Sequence, residues 1–376
     1  MNKSNILITV PKGLCKFLQA EVEALGLPVK NASPTSLQTE GTTVDAMKLN
    51  LYIRTGHHVL FEISRFRARD ADELYSQVSK IPWETMIPSN EYLSVVSNVQ
   101  NPTIRDSRFA NMRCKDAIVD RISARKGRRP DSGPERTGAV VSLFWREDRC
   151  IVYLDTSGEA LSRRGYRRIP LGAPMQETLA AGVIMASGFK PGESFVNPMC
   201  GSGTLVIEAA LAATGRAPGL TRQNYGFFHF LGFDMQMWEV LKREAKSNVK
   251  KTISSQFIAT DISEKAVEAA RKNAETAGVG QLIRFEVCDF AQTPVPPQPG
   301  VVILNPEYGM RMGSESELAD TYRGIGSFFK HECQGYRGYV FTANMKLSGK
   351  VGLKSRRRIP FNSGSVECRL YEYDLY

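Results

Sequence analysis

Phe195-Val196-Asn197-Pro198-Met199-Cys200-Gly201-Ser202-Gly203-Thr204-Leu205 carries an apolar strand into a Gly-x-Gly turn and on into a helical stretch reaching residue 213. Glycines at such a turn let the backbone approach a ligand at the carboxyl end of a first parallel strand. A P-loop is excluded, because no Gly-Lys-Ser/Thr comes after it. The turn alone is a weak signal, since a tight strand-to-helix junction needs glycine whether or not it binds anything. Three further strand ends, in order along the chain, give it weight. A second apolar strand, 257–260, is followed directly by Asp261, where a carboxylate can accept both hydroxyl protons of a ribose. Asp289 ends a third strand and either binds an adenine amino group or caps a turn. A fourth strand, 301–304, runs into Asn305-Pro306-Glu307-Tyr308-Gly309. Near-continuous apolar strands alternating with helices predict an α/β fold, a parallel sheet covered on both faces.

Gly203 and Asp261 are 58 residues apart, against roughly 20 in a dinucleotide site, so an insertion intervenes at about residues 215–250. It holds Tyr225, Phe227, Phe228, Phe230, Phe233 and Trp238. Aromatic clusters usually bury, so the expectation is a small helical subcore packed on the sheet; a share in shaping a base pocket is the alternative.

The first half reads differently. Strands are predicted at 6–10, 58–63, 92–97, 140–145 and 150–154, with helices at 14–25, 44–52 and 70–81. Short mixed elements of this kind suit a compact α+β module. Residues 105–129 hold nine Lys or Arg against three Asp, with Ala117, Ile118, Ile122 and Ala124 supplying an apolar stripe. That pattern predicts a helix with one charged face, serving either as a solvated surface or as a footprint for a polyanion. The join to the second half falls at 162–174, where Arg163, Arg164, Arg167 and Arg168 cluster beside Gly and Pro.

The formal net charge of +10, with a pI near 9.2, favours a polyanionic partner. Residues 1–168 contribute +7 of it. The seven cysteines are scattered with no Cys-x-x-Cys pair, and the four histidines lack ligand spacing. A disulfide framework and a metal site are therefore disfavoured. No stretch approaches the ~20 apolar residues of a membrane span, and the first apolar run is short for a secretory signal. The expectation is a soluble cytoplasmic protein, with no further domain after Tyr376.

Asn305-Pro306-Glu307-Tyr308 resembles the Asn-Pro-Pro-Tyr motif of class I S-adenosylmethionine-dependent methyltransferases acting on planar amino groups. An amine conjugated to a base is a poor nucleophile. An Asn oxygen and the Pro carbonyl can each accept one of its hydrogens, holding the nitrogen in line with a sulfonium methyl, and Tyr308 can stack on the base. Glu307 stands where that motif has its second proline. Residues 115–120, 161–167, 197–210 and 217–220 extend the likeness through nearly the whole chain. It is to the bacterial THUMP-domain RNA methyltransferases, those like the 23S ribosomal RNA guanine-N2 methyltransferase. Asn197 replaces the Asp usual at the end of the first strand in that family.

The resemblance implies a ferredoxin-like segment at 1–60, a THUMP RNA-binding domain at 61–160, a linker at 161–175 and a Rossmann-like methyltransferase domain at 176–376. It implies S-adenosylmethionine held by Asn197, Cys200, Gly201, Gly203, Thr204, Asp261, Asp289 and Asn305, with Asn305, Pro306 and Tyr308 catalytic and no metal. Arg113, Lys115, Arg121, Arg125, Arg163, Arg164 and Arg167 are the expected RNA contacts. Glu307 either pairs with the donors on guanine's Watson–Crick edge and repels adenine, or simply faces solvent. The implied partner is 23S ribosomal RNA or a ribosome precursor. Transfer RNA guanine, a nucleic-acid adenine, and an inactive RNA-binding assembly factor remain alternatives.

Overall fold

The computed structural model describes residues 3–172, 174–306 and 315–376, without the side chains of 315–317. The chain forms two compact units. The first comprises Met1–Val10, Leu18–Leu161 and Arg222–Arg243, and the second Pro11–Phe17, Ser162–Thr221 and Glu244–Tyr376.

In the N-terminal half the elements run β1 (Ser4–Thr9), α1 (Cys15–Ala24), β2 (Asn31–Ser33), β3 (Ser36–Gly41), α2 (Thr43–Tyr52), β4 (His58–Arg67), α3 (Ala71–Val78), β5 (Leu93–Gln100), α4 (Ser107–Lys126), β6 (Ala139–Arg146) and β7 (Arg149–Asp155). The strands form one sheet in the order β2-β3-β1-β4-β7-β6-β5. β4 joins its two ends: residues 58–61 pair with β1, and the strand continues through a bulge along β7. The basic helix is α4, crossing from β5 to the parallel β6. Asp106 caps its start by accepting from Arg108 N, and Gly127, left-handed at φ 69°, ends it. Ala110, Cys114, Ala117, Ile118 and Ile122 form its buried stripe. The hairpin β2–β3 has no clear sequence signal, because β2 is a polar strand exposed along its whole length.

The C-terminal half runs α5 (Glu177–Ser187), β8 (Ser194–Pro198), α6 (Thr204–Ala213), α7 (Met235–Ser247), β9 (Phe257–Asp261), α8 (Glu264–Ala277), β10 (Ile283–Val287), β11 (Gly300–Leu304), α9 (Glu315–Glu332), β12 (Arg337–Thr342), α10 (Met345–Ser348), β13 (Arg357–Ser363) and β14 (Val366–Asp374). The sheet order is β10-β9-β8-β11-β12-β14-β13. It is parallel through β12 and antiparallel at β14 and β13. Every residue of β8 and β11 is buried, as central strands covered on both faces require. On one face Tyr322, Ile325, Phe328 and Phe329 of α9 pack on Val302, Leu304, Val340 and Tyr373. The strand order reverses between β8 and β11. That switch point opens a crevice at their carboxyl ends.

The aromatic insertion corrects one expectation. Residues 222–243 belong to the first unit, not to the α/β sheet of the second. Phe227 N donates to Thr156 O just past β7, and Phe233 packs edge-on against Phe61 of β4 at 6.5 Å.

Candidate active site at the strand ends

The glycine turn lies at the carboxyl end of β8. Its backbone is left-handed at Met199, Gly201 and Gly203, with φ of 54°, 54° and 82°. The two glycines serve different ends. A Cβ on Gly203 would lie 2.9 Å from the Cβ of Ala270, so its lack of a side chain lets α6 approach α8. A Cβ on Gly201 would meet nothing within 4 Å. That position faces open space at the mouth of the crevice, where a ligand backbone could come close. Thr204 opens α6, and its side chain is buried.

Asp261 ends β9 and is tied to the turn. Its Oδ2 accepts from Gly201 N at 2.9 Å and its Oδ1 from Ser263 N at 3.0 Å. Cys200 is buried, and burial pushes its thiol up. It therefore stays protonated and contributes through its backbone, with N donating to Thr260 O and O accepting from Gly203 N. Asp289 lies beyond β10, and its Oδ1 accepts from Ala291 N at 2.9 Å, so it caps a short 3-10 turn.

Two asparagines carry the polar chemistry of the crevice. Asn197 is fully buried; its Nδ2 donates to Ile303 O at 2.9 Å, cross-linking β8 to β11. The family's usual Asp could not make that bond. Its Oδ1 has no hydrogen-bond partner among the described residues, nor has the buried Oδ1 of Asn305, which follows β11. Unpaired buried acceptors are costly. Asn197 lies in β8 and Asn305 just past the end of β11, on the two sides of the switch point, so the crevice holds acceptors that a bound amine would satisfy. Pro306 is buried beside Asn305. Tyr308 and Glu307 lie outside the described residues.

Sequence reasoning missed the groups that brace the turn. Asn273 sits on the apolar face of α8 among Ala266, Ala269, Ala270 and Ala277, and is fully buried. Its Oδ1 accepts from Arg168 N and Ile169 N, while its Nδ2 donates to Ser202 O at 3.2 Å. A lone amide in an alanine stripe was the signal available. Ile262 is the other omission: a large aliphatic side chain, 74% exposed, next to Asp261.

The expected RNA contacts divide. Arg164 is 1% exposed and forms a buried pair with Glu208, which also accepts from the Tyr166 hydroxyl at 3.1 Å. It cannot reach a phosphate, which corrects its assignment. Arg167 is turned inward too, donating to Glu177, to Ser202 Oγ at 3.0 Å and to Met175 O. Arg121 spans to Glu84 and to the carbonyl of Ser79, and the Arg121 guanidinium holds the Glu84 carboxyl down to about 2. Arg113 pairs with Asp72 and lies over the Tyr75 ring, and Lys115 pairs with Asp116. Arg125 and Arg163 are exposed.

Among the described residues no group of His, Cys, Asp or Glu could hold a metal, and no helix is long and apolar enough to cross a membrane.

Comparison with known proteins finds three family models along the chain. Residues 5–60 match the RlmL ferredoxin-like domain and 68–155 the THUMP domain. The RMKL-like methyltransferase domain matches 164–372. The ribosomal RNA large subunit methyltransferase K/L of Syntrophotalea carbinolica is 35% identical over 377 residues, 98% of this chain and 53% of that protein. This chain thus spans about half the length of that relative. A Synechocystis protein, provisionally named an RNA methyltransferase, is 31% identical over 98% of this chain and 96% of its own. Among solved structures SMU.472, provisionally named a methyltransferase and complexed with SAH, superposes with a TM-score of 0.89 at 25% identity, covering 100% of this chain and 99% of that one. A domain match across more than half of its residues, joined to a full-length likeness, places this chain in the family of the RMKL-like methyltransferase domain.

Proposed function

We propose that this chain transfers a methyl group from S-adenosylmethionine to the exocyclic N2 amine of a guanine in 23S ribosomal RNA. One observation carries the reading: the buried Oδ1 of Asn305, unpaired among the described residues, at the carboxyl end of the strand beside the glycine turn. A flipped-out guanine would supply the missing donor. The cofactor, when bound, supplies an electrophilic methyl on a sulfonium. Asn305 Oδ1 and the Pro306 carbonyl accept the two amine hydrogens and aim the nitrogen lone pair at that methyl. Asn197 keeps β11, and so Asn305, in register with the turn through its bond to Ile303 O. Asp261 takes the ribose hydroxyls beside Gly201, the Asp289 loop the adenine, and the Asn197 Oδ1 the methionine amine. Tyr308 stacks on the base and Glu307 reads its Watson–Crick edge. Rate then comes from positioning and matched polar groups rather than from a strong base.

The THUMP match and the exposed cations Arg125 and Arg163 support an RNA substrate met in the cytoplasm. The K/L relative supports the choice of large-subunit RNA. The test is methyl transfer from labelled cofactor to ribosomal and transfer RNA purified from a strain deleted for this gene. Label in N2-methylguanine of 23S RNA is expected. Label only in transfer RNA, or in adenine, would replace the substrate, and no label in either would leave an RNA-binding role.

A further inference from the structure

Residues 169–376 hold 23 Lys or Arg against 20 Asp or Glu, and the surplus is not spread evenly. The stretch 343–366 contains six basic residues, Lys346, Lys350, Lys354, Arg356, Arg357 and Arg358, and no acidic one. The rest of that half has 17 basic residues against 20 acidic ones, a net of −3. A surface that only keeps a protein in solution mixes the two signs, whereas a long run of one sign sets up a local field.

Three of the six have partners. Arg356 pairs with Asp374 at 3.1 Å, Arg357 pairs with Glu372, and Arg358 lies over the Tyr371 ring. The three lysines are exposed, and among the described residues none makes an ion pair or a side-chain hydrogen bond. Helix carboxyl ends do not match them. α10 and the 3-10 turn Gly349–Val351 that continues it end once, which offers at most roughly half a negative charge against three positive ones. The carboxyl end of α9 has its own Lys330 and His331.

The fold of the second unit brings these lysines to the crevice. Leu304 of β11 is level with Val340 of β12, so Asn305 stands beside Phe341 at one strand spacing, about 4.8 Å. Lys346 is five residues past Phe341, hence at most roughly 18 Å from it along the chain. From there the chain turns back along α9, the crossover from β11 to the parallel β12. A Cβ on Gly326, eleven residues past the start of α9, would collide with Val351 O. Those eleven residues span roughly 16 Å. Lys346, Lys350 and Lys354, four residues apart, therefore form a track that starts near the mouth of the crevice and leads away from it.

We propose that Lys346, Lys350 and Lys354 bind backbone phosphates of the RNA next to the nucleotide being methylated. The proposal rests on the reading that the chain acts on RNA. The target base enters the crevice beside Asn305, and the strand that carries it lies along the track. These contacts hold the RNA equally before and during methyl transfer, so they set affinity and not the rate of the chemical step.

The test uses the full chain, a variant with Lys346→Gln, Lys350→Gln and Lys354→Gln, and one with Lys346→Arg, Lys350→Arg and Lys354→Arg. Binding of a 30-nucleotide mixed-sequence RNA is followed by fluorescence anisotropy from 50 to 300 mM salt, with S-adenosylmethionine affinity measured alongside. Losing three phosphate contacts should cut the slope of log affinity against log salt by about 2 and weaken low-salt binding about tenfold or more. The arginine variant should bind as the native chain does, and cofactor affinity should not move. In methyl transfer the glutamine variant should raise KM for RNA about tenfold and leave kcat within about twofold, as a loss of uniform binding does. A glutamine variant with native affinity and slope overturns the track while leaving the RNA reading intact. A parallel loss of cofactor affinity also overturns it, because the effect would then run through the fold. So does a kcat that falls while KM stays put, because the lysines would then act on the chemistry. Vesicles rich in phosphatidylserine serve as the second probe. If the native chain binds them and the glutamine variant does not, while both bind RNA alike, an anionic membrane replaces RNA at this track. A native chain that does not bind the RNA at all overturns the RNA reading itself.

Discussion

At the scale of single residues, the two glycines of the turn make a pair that mutation can separate. Both are left-handed, so a side chain at either costs on the order of 1–2 kcal/mol of strain. Only at 203 would the new methyl also strike Ala270, at 2.9 Å. Gly203→Ala should therefore unfold at clearly lower urea than Gly201→Ala, by about 1–3 kcal/mol beyond the shared strain. Cofactor binding should rank them the other way once corrected for folded fraction, because the methyl of Gly201→Ala projects into the open mouth of the crevice. Calorimetry with S-adenosylmethionine is the check. If Gly201→Ala binds as tightly as the native chain, the cofactor does not pass over that glycine. Asn197 shows how far residue reading can reach. As a substitution of Asp by Asn it looks like a weakened ligand. In place, its amide hydrogen is what joins β8 to β11, a role that depends on a strand 106 residues away in the chain.

At the scale of elements, strands and helices with a clear period were legible and those without one were not. β8, β9 and β11 each carry a short buried apolar run because they are inner strands, and α4 shows an apolar stripe beneath its charges. The edge hairpin β13–β14 gives little signal, since β13 begins Arg357-Arg358 and is mostly exposed or half-buried. The stretch 162–169 was legible as a cluster of charge, and its role was not. Charge runs usually face water, yet half of this one is folded inward as the brace of the glycine turn. The deciding information is the placement of Glu177, Glu208 and Asn273, which only the fold brings to it. This brace makes stability depend on pH. Burial lifts the Glu177 carboxyl above its ordinary 4.5, and the Arg167 charge works against that rise. A carboxyl raised in the folded state favours the fold below its unfolded pKa and loses that contribution as pH climbs through its folded one. Arg167→Met removes the opposing charge and lifts Glu177 further. The variant's stability deficit should therefore widen between pH 4 and pH 7, by on the order of 1–2 kcal/mol. Urea unfolding at the two pH values measures this; a deficit of equal size at both would mean that Arg167 acts only through its hydrogen bonds.

At the scale of the whole molecule, the chain does not finish one unit before beginning the next. It gives Pro11–Phe17 to the second unit, re-enters that unit at Ser162, leaves it at Thr221, gives Arg222–Arg243 to the first and returns at Glu244. The aromatic content of that insertion was plain in the sequence, whereas its destination could not be, because nothing in Tyr225–Trp238 distinguishes one apolar face from another. Phe227 is at its centre, 1% exposed, with the rings of Tyr225, Phe228, Phe233 and Trp238 within 6 Å of its own. Phe227→Ala should cost about 3–5 kcal/mol, the usual penalty for emptying a packed aromatic site. The cost should fall on the first unit although the residue lies inside the methyltransferase match in sequence. Native-state hydrogen exchange can read where it lands. Amides of β4, β6 and β7 should lose protection by two to three orders of magnitude, the equivalent of about 3–4 kcal/mol, while those of β8, β9 and β11 keep theirs. Protection lost instead from β8 and β11 would return the aromatic cluster to the catalytic sheet. Cofactor affinity should likewise survive the substitution, and on the proposed reading, in which the first unit meets the RNA, RNA binding should fall. A variant of this kind would separate binding of the RNA from the chemistry done on it.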